Sequence, residues 1–222
     1  MSGFPLKAAA FLFSMNFDLT TKQLVNPPIY SYEIKTKYGF WLKWVFVTVV
    51  GFFVSLLWIE IGERPDMGLL AGVVGGTAIG FAQWFVLKQY IYQPWQWIFA
   101  SIIGWTVLGY SHLGAIAWVA PRTLDVFDRI LYGVIDGSQV GIWIGFLQWL
   151  ALRIQVPRAW KWLWVSPLCW SVGLSIGWAF GGVMRQSTQL FLGDVFGLTI
   201  TWTIVAGMTG IALVGLFWID DW

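Results

Sequence analysis

Charge is what this chain lacks most. Lysine, arginine, aspartate and glutamate supply 11% of its 222 residues, where a soluble domain carries about 25%. The net charge of +2 is too small for the basic face of a nucleic-acid binder, so no nucleic-acid partner is expected. Cysteine occurs once, as Cys169 inside an apolar run, which excludes an intrachain disulfide. Histidine also occurs once, and one imidazole with one thiol cannot build a zinc site of the usual kind. Catalytic signatures are missing as well: there is no Gly-x-Ser-x-Gly elbow, no phosphate loop ending in Gly-Lys-Ser/Thr, and no His-Glu-x-x-His. The expectation is a protein that is not an enzyme and holds no metal.

Apolar residues make up 58% of the chain and the mean hydropathy is +0.70. The few charges cluster between uncharged runs, each of about the 20 residues needed to cross a hydrocarbon core. Six helices are expected, over 41–61, 67–87, 97–118, 131–152, 162–183 and 195–218. Polar breaks such as "EIGERPD", "KQYIYQPW" and "RIQVPRAWK" separate them. In lipid every backbone group must be bonded within its own segment, which leaves the helix as the solution for each run. The fold class is therefore all-α, a polytopic membrane protein whose partner is the bilayer. Residues 1–40 form a cytoplasmic or interfacial N-terminal segment, 41–218 the six-helix bundle, and 219–222 a short cytoplasmic tail. Within the first segment "FPLKAAAFLFSMNF" is too short to span, and no signal-peptide cleavage pattern follows it. It reads as a stretch lying on the membrane surface or as disorder, with Pro27 and Pro28 as a linker.

Lysine and arginine set the orientation. With alternating helices, one side carries Lys7, Lys22, Lys35, Lys37, Lys43, Lys88, Arg153, Arg158 and Lys161, and the other Arg64, Arg122, Arg129 and Arg185. The bias of nine against four places both termini in the cytoplasm. On the sparser side Arg122, Asp125, Asp128 and Arg129 read as solvated ion pairs at helical spacing.

Two stretches are near copies: "GLLAGVVGGTAIGFAQWFVLK" from Gly68 and "GVIDGSQVGIWIGFLQWLALR" from Gly133. Gly68, Gly72, Gly76 and Gly80 recur at spacing four, as do Gly133, Gly137, Gly141 and Gly145. Residues four apart share a helix face, so each helix offers a bare stripe on which another backbone can close. At an offset of 65, Gln83-Trp84 matches Gln148-Trp149, Trp97 matches Trp162, Ser101 matches Ser166 and Trp105 matches Trp170. The internal repeat covers about 68–110 and 133–175. Gly193, Gly197 and Thr201 look like a worn third stripe. Repeated two-helix units of one orientation imply an axis near the membrane normal.

The stretches "GFAQWFVLK" and "GFLQWLALR" resemble a group of multi-spanning membrane proteins common in cyanobacteria, over residues 68–178. The resemblance implies a thylakoid or plasma membrane of a cyanobacterium. It implies no activity.

Polar residues inside the spans are the candidates for a ligand or polar site. His112 near the outer end of the third helix and Asp136 near the outer start of the fourth fall at similar depth. They are expected to hydrogen-bond as a pair, or Asp136 meets outer water alone. Gln83 and Gln148 lie just inside the cytoplasmic boundary, either bonding a neighbouring helix or offering an oxygen to the magnesium of a chlorophyll. The 18 tryptophans read as an interfacial belt, many falling at span ends: Trp41, Trp44, Trp95, Trp97, Trp118, Trp160, Trp162, Trp164, Trp218 and Trp222. They also read as an aromatic surface for a pigment, quinone or lipid. The leading functional expectation is a scaffold, assembly or accessory subunit, packed against other membrane proteins, further copies of itself or pigments. A small transporter or channel using His112 and Asp136 is the alternative, and chlorophyll or carotenoid binding the third. Single cysteines at positions 88 and 185 are expected to react with an impermeant thiol reagent from opposite compartments. Labelling of both from one side would rule out the six-span layout.

Overall fold

The computed structural model describes residues 29–61, 68–111 and 117–218. The surface-lying stretch expected in 1–28, the tail 219–222 and His112 lie outside the described residues. The chain falls into two compact units, 1–39 and 40–222. The first contributes the start of a helix. The second holds everything that follows.

Six long helices are described: α1 (Ile29–Ser55), α2 (Leu69–Leu87), α3 (Trp95–Tyr110), α4 (Val126–Leu152), α5 (Trp162–Thr188) and α6 (Leu192–Trp218), with a single 3-10 turn at Ala159–Lys161 before α5. Five are long and apolar enough to cross a membrane. The exception, α3, has 16 residues, about 24 Å of helix against a hydrocarbon core of about 30 Å. It stops at Tyr110, short of the expected 118. Among the described residues that follow, Ala117, Trp118 and Ala120 are buried.

The starts and stops follow local chemistry. Asp125 caps α4 by accepting from the Asp128 backbone N–H at 2.9 Å, which satisfies one of the orphan donors of a first turn. Ser55 ends α1 with its hydroxyl turned onto the Phe52 carbonyl at 2.6 Å. Gln189 ends α5 in the left-handed conformation, at φ 58°.

Within the second unit each helix packs on the next. The glycine stripes show how. A Cβ added to Gly76 on α2 would lie 2.8 Å from the Ile102 Cα and from the Ser101 carbonyl oxygen on α3; on Gly80 it would strike the Ser101 Cβ at 2.9 Å. Gly72 is closed off in the same way by the Trp105 carbonyl. On α4, Gly133 faces Ser175, Gly137 the Trp170 carbonyl, Gly141 the Pro167 Cα and Gly145 the Ser166 side chain, all on α5. Of the eight glycines only Gly68, at the start of α2, has open space beside it. A third contact joins α5 to α6, where Gly177 and Gly181 meet Gly197 and Gly193. The ring closes through α1: Gly51 lies against Ala78 and Ala82 of α2, while Gly210 of α6 lies under Trp41 and Trp44. Hydroxyls add to the α4–α5 contact, with Ser175 donating to the Ile130 carbonyl at 3.1 Å and Ser138 bonded to Ser171 at 2.8 Å.

These contacts predict an asymmetric response to adding one methyl group. Gly137→Ala should lower stability in detergent by about 1–3 kcal/mol through overpacking. Gly207→Ala, where a Cβ meets nothing within 4 Å, should leave stability unchanged or slightly raised. Equal melting temperatures for the two variants would contradict the close α4–α5 contact.

Candidate functional site

Three helices carry the same inward-facing pattern, an aromatic residue, a hydroxyl four residues on and a second aromatic four further. They are Trp44-Thr48-Phe52 on α1, Trp97-Ser101-Trp105 on α3 and Trp162-Ser166-Trp170 on α5. All nine side chains are buried. Spacing of four keeps each set on one helix face. The helices between them answer with an aliphatic residue and an amide or hydroxyl: Ile79-Gln83 on α2, Ile144-Gln148 on α4 and Val205-Thr209 on α6.

Each of the first tryptophans donates its indole N–H to one of those oxygens. Trp97 Nε1 reaches Gln83 Oε1 at 2.8 Å, Trp162 Nε1 reaches Gln148 Oε1 at 3.1 Å, and Trp44 Nε1 reaches Thr209 Oγ1 at 3.1 Å. The bonds of Trp97 and Trp162 are equivalent at an offset of 65, the two donors and the two acceptors each lying 65 positions apart. Their rings meet edge to face, with Trp44–Trp97 and Trp97–Trp162 centroids both 5.8 Å apart. One layer further along, Trp105, Trp170, Trp202 and Trp118 crowd together, with centroid separations of 4.8 Å for Trp105–Trp118 and 5.1 Å for Trp170–Trp202. Trp118 closes that layer from the loop after α3, donating to Ser55 Oγ at 2.9 Å, and Trp202 donates to the Ala117 carbonyl at 3.1 Å. Between the two layers lies a cavity of about 20 Å³, as swept by the centre of a water-sized sphere, onto which Gln83, Gln148, Ser166, Thr48 and Thr209 open.

Gln83 and Gln148 thus engage neighbouring tryptophans through their oxygens, and the space beside them has the size of a water molecule, far below that of a chlorin. Trp44, Trp97, Trp118 and Trp162 are fully buried in the bundle, so the interfacial belt does not describe them. An indole body with a single polar N–H suits a packed core as well as a membrane surface, provided the N–H finds a partner. Trp95, Trp160 and Trp164 are exposed and keep the outward role. Asp136 is half-buried on α4 and does not line the cavity. Its expected partner His112 lies outside the described residues. Among the described residues there is no group of His, Cys, Asp and Glu suited to hold a metal ion. In the sequence Trp44 reads only as a belt residue and Ser166 only as a repeat position, while Thr48 and Thr209 were missed. Their signal was the shared spacing of four on alternate helices.

At the far end of the bundle Arg129 is a correction. Far from being solvated, it is fully buried and bonded to Asp194 Oδ1 at 2.7 Å. Its other N–H groups go to the carbonyls of Trp178 at 3.0 Å, Thr123 at 2.7 Å and Pro121 at 2.9 Å. Asp194 Oδ2 also accepts from Arg185 at 2.8 Å. Gly182 makes room for the arginine stem, since a Cβ there would lie 2.7 Å from Arg129 Cδ. The cluster ties α4, α5 and α6 together. Helix ends favour it, because Asp194 sits in the first turn of α6 and Arg185 in the last turn of α5.

No protein-family model matches the chain, and no curated protein and no solved structure matches it.

Leaving Asp194 without Arg129 should be worse than removing both. Arg129→Met is expected to cost about 3–5 kcal/mol in unfolding measurements, and Arg129→Met with Asp194→Leu less than that. Additive losses in the double variant would deny the pair its coupling.

Proposed function

We propose that this is a non-enzymatic integral membrane protein of six spans, both termini cytoplasmic, acting as a scaffold or accessory subunit that packs against other membrane proteins or pigments. Six crossings are supported by the place of α3, which lies along α2 through Gly72, Gly76 and Gly80 and starts where α2 has just ended. Construction from two-helix units is supported by the matching Trp–Gln bonds and glycine contacts at one offset. By the shared spacing of four within each helix, and by the Trp44–Thr209 bond, the third unit pairs α6 with α1.

The observation that carries the subunit reading is the contrast between inside and outside. Inside, two tryptophan layers leave about 20 Å³. Outside, two apolar grooves are more than twenty times larger: one of about 500 Å³ between α1 and α2, beside Trp58 and Phe81, and one of about 720 Å³ between α4 and α5, beside Trp143, Phe146 and Trp164. A core packed this tightly between its tryptophan layers suits a rigid support, and grooves walled by rings suit helices or flat conjugated molecules.

The test is purification from the native membrane in mild detergent, read for visible absorbance and co-migrating subunits. The chain is expected to travel within a larger assembly or to carry colour. Trp143→Ala with Trp164→Ala should weaken that association at least several-fold without changing the melting temperature. A colourless, solitary chain that conducts ions or solutes in liposomes would overturn the reading.

A further inference from the structure

We infer that the cavity between the tryptophan layers is a binding site for one small, neutral, hydrogen-bonding molecule, water or a solute of its size. Three properties limit the guest. The first is volume: about 20 Å³ is available to the centre of a water-sized sphere, where one water needs roughly 10–15 Å³ by that measure. A single water fits, and anything as large as a quinone does not.

The second is charge. Among the described residues no Asp, Glu, Lys, Arg or His lines the cavity. An ion there would meet amide and hydroxyl groups among indole and aliphatic walls but no counter-charge, which a low-dielectric interior opposes.

The third is hydrogen bonding, where the two copies differ. Gln83 uses both ends of its amide, accepting from Trp97 at 2.8 Å and donating to Thr48 Oγ1 at 3.2 Å. Gln148 is as deeply buried, but among the described residues the bond from Trp162 is the one that engages its side chain. The residue standing to Gln148 as Thr48 stands to Gln83 is Ser101, and the Ser101 hydroxyl is buried without a partner. Gln148 and Ser166, the latter 1% exposed, both line the cavity, and with Oε1 taken by Trp162 the Gln148 amide keeps its Nε2 protons to give. A guest that accepts from Gln148 and exchanges a hydrogen bond with Ser166 supplies what Thr48 supplies in the other copy. Two to four polar partners are what a buried water requires.

High-resolution maps of the full chain in detergent, from crystals grown with and without a rubidium salt, test this. The expected result is one ordered non-protein atom within 3.2 Å of Gln148 Nε2 and Ser166 Oγ, with no rubidium anomalous signal. It should be lost in Gln148→Leu, or in Ser166→Ala should the first variant fail to fold. A well-ordered wild-type map without such a peak would overturn the inference, as would a rubidium peak, which makes it a cation site. A peak that persists in the variants overturns the role given to the two side chains.

Discussion

Between α4 and α5 the backbones come so close that a methyl group on Gly137 would lie 2.5 Å from the Trp170 carbonyl oxygen. Lipid tails are as apolar as leucine, so burial gives helices in a bilayer little reason to associate. Dispersion and weak Cα–H contacts at short range must do it instead. That requirement makes the bare stripe necessary, because any side chain on it would hold the helices apart. The same closeness recurs between α2 and α3 and between α5 and α6, and it fixes axial register as well as distance. A carbonyl resting on a glycine cannot slide without meeting the next side chain.

Register then decides where the tryptophans end up. With Gly80 against Ser101 and Gly145 against Ser166, Trp97 and Trp162 come level with the glutamines and their indole N–H groups find oxygens. A buried N–H without an acceptor costs on the order of 1–3 kcal/mol, so the glutamine matters as much as the ring. Edge-to-face ring contacts, worth about 0.5–1.5 kcal/mol each beyond the area they cover, then link α1, α3 and α5 across the interior. At the other end Arg129 plays a comparable part with charge. Its guanidinium meets one carboxylate and three carbonyls, so a cation costly to bury alone is fully matched.

Much of this was legible in particular residues. Glycine every fourth position announces a bare face, and Gln-Trp at an offset of 65 announces two glutamines that each accept from a tryptophan on the next helix. Polar breaks located α2, α4, α5 and α6 to within about a turn and a half at each end, whereas α1 starts at Ile29 rather than 41 and ends at Ser55 rather than 61. At α3 hydropathy continues past Tyr110, yet Trp118, expected at the end of that helix, is buried with its N–H on Ser55 and its ring on Trp105. Arg129 misled for a similar reason. Beside Asp125 and Asp128 it looks like a member of a surface pair, and its true partner, Asp194, stands 65 residues away.

Composition and periodicity determined on their own that this chain forms long apolar helices with bare stripes, because those properties arise within a single segment. Which backbone fills each stripe, which indoles turn inward, and which carboxylate neutralises Arg129 were decided only by the tertiary structure. Each of these is a meeting of groups from different helices, and an indole or a guanidinium carries no mark in the sequence of whether lipid, water or another helix will receive it.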